Sequence, residues 1–393
     1  MVFIFMPCIY PKIYILLKST KYFMMKAFKF RLYPTINQSS QLNQHIGICR
    51  FVYNWALNQK VKTYEQIGKS ISRFDLNKLI PNLKQQNPWL RGVNSQSFQG
   101  MANLVESAFN RFFREKIRFL KFESKKIPIK SFLILKHYNV DFESDTIKFT
   151  KTGEIKAIFQ KTFEGELKTA TTSRSCTGKY YISILVGDDN EFPVKQVFSE
   201  YTAIGVEVGI NNFTVLSIGE KVENPNYLEN SLKRLKTLQK KVSRKQNSSP
   251  NREKAKQKLT LLRKKITNKK NDFQHKLSFQ LVSEIQAIAF ETPYVKYMIK
   301  NYHLAQAICD SVWSSFVTQS EYKSELSGKP ILLIGKFVQS FKMCLVYGYH
   351  NSYLTLKDGE WNCADCKTKH DRDINAAINI KKFYLTDQNL IGI

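Results

Sequence analysis

Between residues 233 and 270 the chain carries 16 Lys and Arg side chains and one acid, Glu253, a charge of +15 in 38 residues. No other feature constrains the fold as tightly. Such a stretch cannot be buried, so it must lie on exposed helices that pack only through a narrow apolar seam. The seam is there: Leu232, Leu235, Leu238 and Val242 recur at helical spacing, and Leu259, Leu262 and Ile266 do the same. Asn247-Ser-Ser-Pro250 interrupts the run, which predicts a two-helix hairpin. A merely solvated hairpin usually mixes both signs of charge. One sign alone leaves repulsion unrelieved unless phosphates approach. The candidate nucleic-acid contacts are therefore Lys233, Arg234, Lys240, Lys241, Arg244, Lys264, Lys265, Lys269 and Lys270.

The whole chain repeats the argument at lower density, with 61 Lys and Arg against 32 Asp and Glu, a net +29. A folded protein so charged needs a polyanionic partner, nucleic acid first and an anionic membrane surface second. Hydrophobic residues at 43% and aromatics at 13% exclude a disordered basic tail, and 393 residues allow two or three domains. The apolar run Val2–Leu17 is broken by Pro7, Pro11 and Lys12, short of the ~18 apolar residues a spanning helix needs. It lacks the basic start and small-residue cleavage site of a signal peptide. Residues 1–24 therefore read as an extension of upstream translated sequence, and no stable membrane association is expected; a membrane anchor at Val2–Leu17 is the weakest of three readings. Seven cysteines, with Cys8, Cys49, Cys176 and Cys309 scattered, make a poor disulfide framework and suit a reducing cytoplasm.

Along the chain the period switches. Lys26–Tyr33 alternates as a strand and stops at Pro34. Gln38–Gln66 has helical spacing, as do stretches at about 75–86 and 95–119. From 127 to 200 short β-branched and aromatic strands alternate with glycines, predicting a small β-barrel with a hairpin turning at Thr177-Gly178. An α/β region then begins with Tyr201–Ile210, a turn at Asn211-Asn212 and a strand at Phe213–Ile218.

Three carboxylates sit where chemistry would need them. Glu207 lies inside an apolar strand, Glu291 ends the run Ile288-Ala-Phe290, and Asp373 starts a C-terminal helix in His370-Asp-Arg-Asp-Ile-Asn-Ala-Ala. Singly, each is as readily a surface Glu or a helix-capping Asp. Together they form the set that a two-metal nuclease uses to hold Mg²⁺. A second constellation is Cys344-Leu-Val-Tyr347, then Cys363-Ala-Asp-Cys366, a zinc-ribbon spacing in which Tyr347 replaces the second thiolate. His350 or His370 completes a Zn²⁺ site here, or the site is metal-free and packed by Tyr347.

Lys26-Ala-Phe-Lys-Phe-Arg-Leu-Tyr-Pro-Thr35, Cys49–Leu57, Gly205-Val-Glu-Val-Gly209, Asp272–Ser278, Ile308–Trp313, the broken ribbon and His370–Ala377 together resemble the TnpB (OrfB) proteins of bacterial insertion sequences. The resemblance runs from about Met25 to Ile380. It implies an RNA-guided DNA endonuclease related to type V CRISPR effectors and long associated with transposition and DNA recombination. The implied partners are a guide RNA and a double-stranded DNA target, the heteroduplex lying in a basic channel. The implied fold is an RNase H-like (RuvC) α/β nuclease domain at 203–340 and 369–393, bearing the basic hairpin at 231–275. To it are joined a β-barrel wedge domain at 25–36 and 121–202, a helical recognition insertion at 37–120 and a degenerate zinc ribbon at 341–368. By family position Glu207, Glu291 and Asp373 bind the catalytic metal, a metal-activated water attacks, and the products carry a 3′-hydroxyl and a 5′-phosphate.

This chain departs from the family at three places. Glu207 stands where the family has Asp, Tyr347 where it has Cys, and Phe337–Lys342 where it has Phe-Pro-Ser-Ser-Lys. Glu reaches about one methylene further, and ~1 Å of misplacement can cost about 100-fold. The expectation is weakened cleavage. The rival reading is a nuclease-dead, RNA-guided DNA-binding regulator or an inactive, decayed transposon copy.

Overall fold

The computed structural model describes residues 23–115, 119–124, 130–191, 193–291, 312–334, 340–355 and 358–387. The Val2–Leu17 stretch, residues 308–311 of the Ile308–Trp313 motif and the start of Phe337–Lys342 fall outside them. The chain divides into two compact units between Glu191 and Phe192.

In the first unit, strand β1 (Phe23–Tyr33) begins ahead of the expected Lys26: Met24 pairs with Asp188 and is buried. Its alternation buries Phe30 and Leu32, while Lys29 lies over the Tyr181 ring on the other face. Thr35 then caps helix α1 (Ile36–Ile67) in a reciprocal capping box with Gln38, and Gly68 ends it at φ 67°. Helices α2 (Arg73–Gln86) and α3 (Gln96–Glu115) follow. Six more strands come next: β2 (Ser131–Ile134), β3 (Tyr138–Asp141), β4 (Thr146–Phe149), β5 (Gly153–Ile158), β6 (Glu166–Arg174) and β7 (Tyr180–Glu191). The sheet order is β2-β6-β7-β1-β5-β4-β3, antiparallel throughout. Of the expected barrel the described residues show this seven-stranded sheet, whose edges, β2 and β3, do not pair with each other among them. The sheet covers its apolar face with helices, Phe30, Phe132 and Ile182 joining Leu42, Val52 and Val105 in one core.

The second unit is built on the sheet order β10-β9-β8-β11-β12. Strand β8 (Ala203–Val208) pairs antiparallel with β9 (Asn212–Leu216) and parallel with β11 (Ala287–Glu291); β10 (Lys221–Glu223) and β12 (Ile331–Ile334) form the edges. Its two faces differ in residue size. Ile204, Val206, Ile288 and Phe290 pack on α5 (Pro250–Glu284) and α6 (Trp313–Leu326) through Leu277, Leu281, Trp313 and Phe316. The opposite face carries Ala203, Gly205, Ala287 and Ala289, and receives α7 (Arg372–Asp387) through Ile380 and Tyr384. A Cβ added at Gly205 would fall 2.7 Å from the Lys381 nitrogen and closer still to the Ala377 carbonyl oxygen. Only glycine lets α7 approach so near.

The basic run forms the expected hairpin, α4 (Leu232–Ser243) and α5, with Ser249 capping α5 and Pro250 in its first turn. Leu235, Leu259 and Ile266 are buried in the seam. α5 continues unbroken into the core of the second unit, so one helix joins the charged surface to the sheet. Among the described residues no helix is long and apolar enough to cross a membrane.

Candidate active site and metal-binding ribbon

Ala203, Gly205 and Glu207 alternate along β8, and Ala287, Ala289 and Glu291 along β11, so both carboxylates emerge on the small-residue face. The register pairs Phe290 with Val206, which places Glu291 beside Glu207 at the next position. Asp373 is one helical turn before Ala377, the residue lying on Gly205. The three sequence-predicted carboxylates therefore come together where β8, β11 and the start of α7 meet.

Their electrostatics agree. Desolvation, then the charges of Glu291 and Asp373, push the Glu207 carboxyl well above the usual carboxylate range; Arg372 opposes this. A hydrogen bond shared with Glu291 also raises the Glu207 carboxyl and lowers that of Glu291. Its Oε2 is buried without a hydrogen-bond partner among the described residues. Burial also raises the Glu291 carboxyl, against the Ser340 hydroxyl, which donates to Glu291 Oε2 at 2.7 Å. Arg372 donates from Nε (2.8 Å) and Nη2 (2.7 Å) to Asp373 Oδ1. Asp371, the other acid of the motif, is already committed. Its Oδ1 accepts the amides of Asp373 and Ile374, and its Oδ2 holds Lys221 at 2.5 Å.

In the ribbon, Cys344, Cys366 and His370 present ligand atoms within 4.8 Å of one another, a group that could hold a metal ion. Cys344 Sγ lies 3.1 Å from His370 Nε2 and 3.6 Å from Cys366 Sγ, and the buried Cys363 thiol interacts with both cysteines. Strand β13 (Glu360–Asn362) aligns His370 by pairing Trp361 with it across from β14 (Lys369–Asp371). Of the two histidines weighed from sequence, His370 is the one in place; His350 is exposed and outside the group. Tyr347 does not pack the site: its side chain is 69% exposed, and only its N–H turns inward, toward Cys344 Sγ at 3.4 Å.

Ser340, Asn375 and Asn379 escaped the sequence reading. Asn375 takes the Leu345 amide (3.0 Å) and gives to the Met343 carbonyl (2.7 Å), while Asn379 gives to the carbonyls of Ser340 (2.8 Å) and Met343 (2.7 Å). Both lie on α7, four residues apart, so the helix carrying Asp373 also grips the segment leading into Cys344. That i, i+4 spacing of buried asparagines was the available signal.

On the basic hairpin, Lys233, Arg234, Lys240, Lys241, Arg244, Lys265 and Lys269 are exposed, while Lys264 and Lys270 are half-buried.

Three family models match this chain: one described as "Probable transposase" over residues 184–302, a "Helix-turn-helix domain" over 24–69, and a "Cas12f1-like, TNB domain" over 313–380. A Streptomyces pristinaespiralis protein, "Putative RNA-guided DNA endonuclease", is 32% identical over 362 residues, 90% of this chain and 88% of that one. The chain belongs to the TnpB (OrfB) family. A second TnpB-family relative, "Putative RNA-guided DNA endonuclease InsQ" of Escherichia coli, is 28% identical and covers 91% of each chain. Among solved structures, "Cryo-EM structure of CasPhi-2 (Cas12j) bound to crRNA" aligns with a TM-score of 0.44 at 7% identity, over 94% of this chain and 99% of that one. In this TnpB-family chain the segment matched as helix-turn-helix is strand β1 followed by one unbroken 32-residue helix.

Proposed function

We propose that this protein is a cytoplasmic, RNA-guided, Mg²⁺-dependent DNA endonuclease with weakened cleavage, associated with a transposable element. The observation that carries the reading is the meeting of Glu207, Glu291 and Asp373 on one sheet face, with a buried Glu207 oxygen left without a partner. Burial raises the Glu207 and Glu291 carboxyls, the Asp373 charge adds to the effect at Glu207, and a divalent cation would relieve that cost. The order β10-β9-β8-β11-β12, a hairpin beside parallel strands, supports the RNase H-like reading of this unit. The names of the relatives support the guide RNA and the DNA target.

Bound there, Mg²⁺ would polarise the scissile phosphate and lower the pKa of the attacking water. The chain's own residues do the rest. Glu207 would meet the cation as its carboxylate, Ser340 fixes the orientation of Glu291, and Asp371 holds the first turn of α7 so that Asp373 faces the strands. The basic hairpin carries the nucleic-acid backbone. The longer Glu207 arm and the Arg372 clamp on Asp373 are the grounds for weakened cutting. In the ribbon, Cys344, Cys363, Cys366 and His370 form a donor set suited to structural Zn²⁺, with His370 substituting for the thiolate lost at Tyr347.

The test is cleavage of a matched duplex by the protein loaded with the RNA that co-purifies with it, in Mg²⁺ and in EDTA. The expected result is slow, Mg²⁺-dependent cutting, faster in Glu207→Asp and absent in Asp373→Asn. Cutting by Glu207→Asp alone would make the native chain an RNA-guided binder. Absence of both RNA and cleavage in every variant would overturn the proposal.

A further inference from the structure

Beside the hairpin seam lies a cavity of about 320 Å³, between the loop at residues 225–231 and one face of α5. Its floor is apolar and aromatic: Tyr227, Leu262 and Ile266. Its walls carry Arg234, Lys265 and Lys269 and no carboxylate. Residues 262, 265, 266 and 269 follow the helical i, i+3, i+4, i+7 pattern, so α5 presents seam and cations as one stripe. Lys269 sits over the Tyr227 ring, 5.6 Å from its centroid, so a positive charge covers one face of an aromatic ring that lines the cavity.

From this arrangement we infer a nucleotide-binding pocket that takes one unstacked nucleotide of a bound RNA strand, its base on Tyr227 and its phosphates among Arg234, Lys265 and Lys269. The inference rests on the nucleic-acid reading of the hairpin given above and adds to it a specific seat. The volume sits at the lower end of the roughly 300–1,000 Å³ typical of small-ligand pockets, which suits a single nucleotide. A base replaces Lys269 on the ring while the ammonium moves to the phosphate, so the aromatic face is never left bare. Asn230, whose side-chain amide donates to the Pro225 carbonyl at 3.3 Å, and Ser231 also line the cavity, and the Asn230 Oδ1 and Ser231 hydroxyl can meet a 2′-hydroxyl, which favours RNA over DNA.

A 20-nucleotide oligouridylate containing 4-thiouridine, irradiated on the full-length protein and mapped by mass spectrometry, tests this. The crosslink is expected on Tyr227, retained in Tyr227→Phe, and reduced at least about fivefold in Tyr227→Leu and in Lys269→Gln. Total oligonucleotide affinity, set by the whole hairpin, should change less. The deoxy oligonucleotide should crosslink there more weakly. Millimolar UMP that protects Tyr227 would show that the seat accepts a free nucleotide; no protection would assign it to a strand alone. Salt-dependent binding with crosslinks mapping elsewhere, unchanged in all three variants, overturns the pocket and leaves the hairpin reading standing. No binding at all overturns both.

Discussion

Gly205→Ala tests the close approach of α7 to β8 in the second unit. The added Cβ would sit 2.7 Å from the Lys381 nitrogen, and ordinary contact begins at 3.4 Å, so α7 must retreat by at least 0.7 Å there and more at Ala377. The obstructing atoms are backbone, so no rotamer change relieves them. Overpacking of this kind costs about 1–3 kcal/mol. For a unit of roughly 200 residues that lowers Tm by about 2–12 °C. The same retreat pulls Asp373 from Glu207, and displacement near 1 Å is worth about 100-fold in rate. Differential scanning calorimetry and the duplex-cleavage assay read the two effects. Gly47→Ala is the control: that glycine lies inside α1 with nothing within 4 Å of an added Cβ, so the change should stabilise by about 0.5–1 kcal/mol. A Gly205→Ala protein as stable and as active as the native one would refute the packing argument.

Further outcomes follow from the same geometry. The Glu207 carboxyl is raised in the folded state, so its stabilising contribution is present below pH about 4.5 and is lost as pH climbs through the folded value. Glu207→Gln should flatten that loss in urea melts without metal, and Mg²⁺ should then stabilise the native protein but not the variant. Calorimetric Mg²⁺ titrations of the native protein in buffers of different ionisation enthalpy should register proton release; none would contradict a protonated Glu207. His370→Ala should cost the ribbon its metal, seen as zinc content falling below one per chain and loss of the cobalt d–d absorption. Adding Tyr347→Cys should restore both, and failure to do so would remove His370 from the ligand set. In the first unit, buried Lys60 pairs with Glu106 and donates to the Ile71 carbonyl at 2.6 Å. Lys60→Ala should destabilise by about 3 kcal/mol, and the double change Lys60→Met with Glu106→Leu by clearly less; equal losses would deny the pair its role.

The sequence already carried much of this. The hairpin could be placed because its seam is written at 3.6-residue spacing and Ser249-Pro250 starts a helix unambiguously. The three carboxylates could be named from their motifs, and their convergence has a signature in the paired patterns Ala-x-Gly-x-Glu and Ala-x-Ala-x-Glu, small residues marking where a helix must lie close. Closure of the barrel is not legible, because strand alternation specifies which face is buried but not whether the edge strands meet; here helices cover the face. The ribbon's completion by His370 was open because a metal site is a property of space. Position 370 lies far from Tyr347 along the chain and is brought in only by pairing with Trp361. Ser340 is a polar residue whose value depends entirely on Glu291 across the fold, and no local spacing reveals that.

The placement of α7 also bears on the order in which the protein matures during synthesis. Proteins emerge N-terminus first, and every part of the carboxylate cluster except Asp373 is made long before residue 372 leaves the ribosome. Until then Ala203, Ala287 and Ala289 have no helix over them, while the lysine-rich hairpin is already complete. On the proposed reading, a nascent or prematurely stopped chain would hold nucleic acid without being able to cut it.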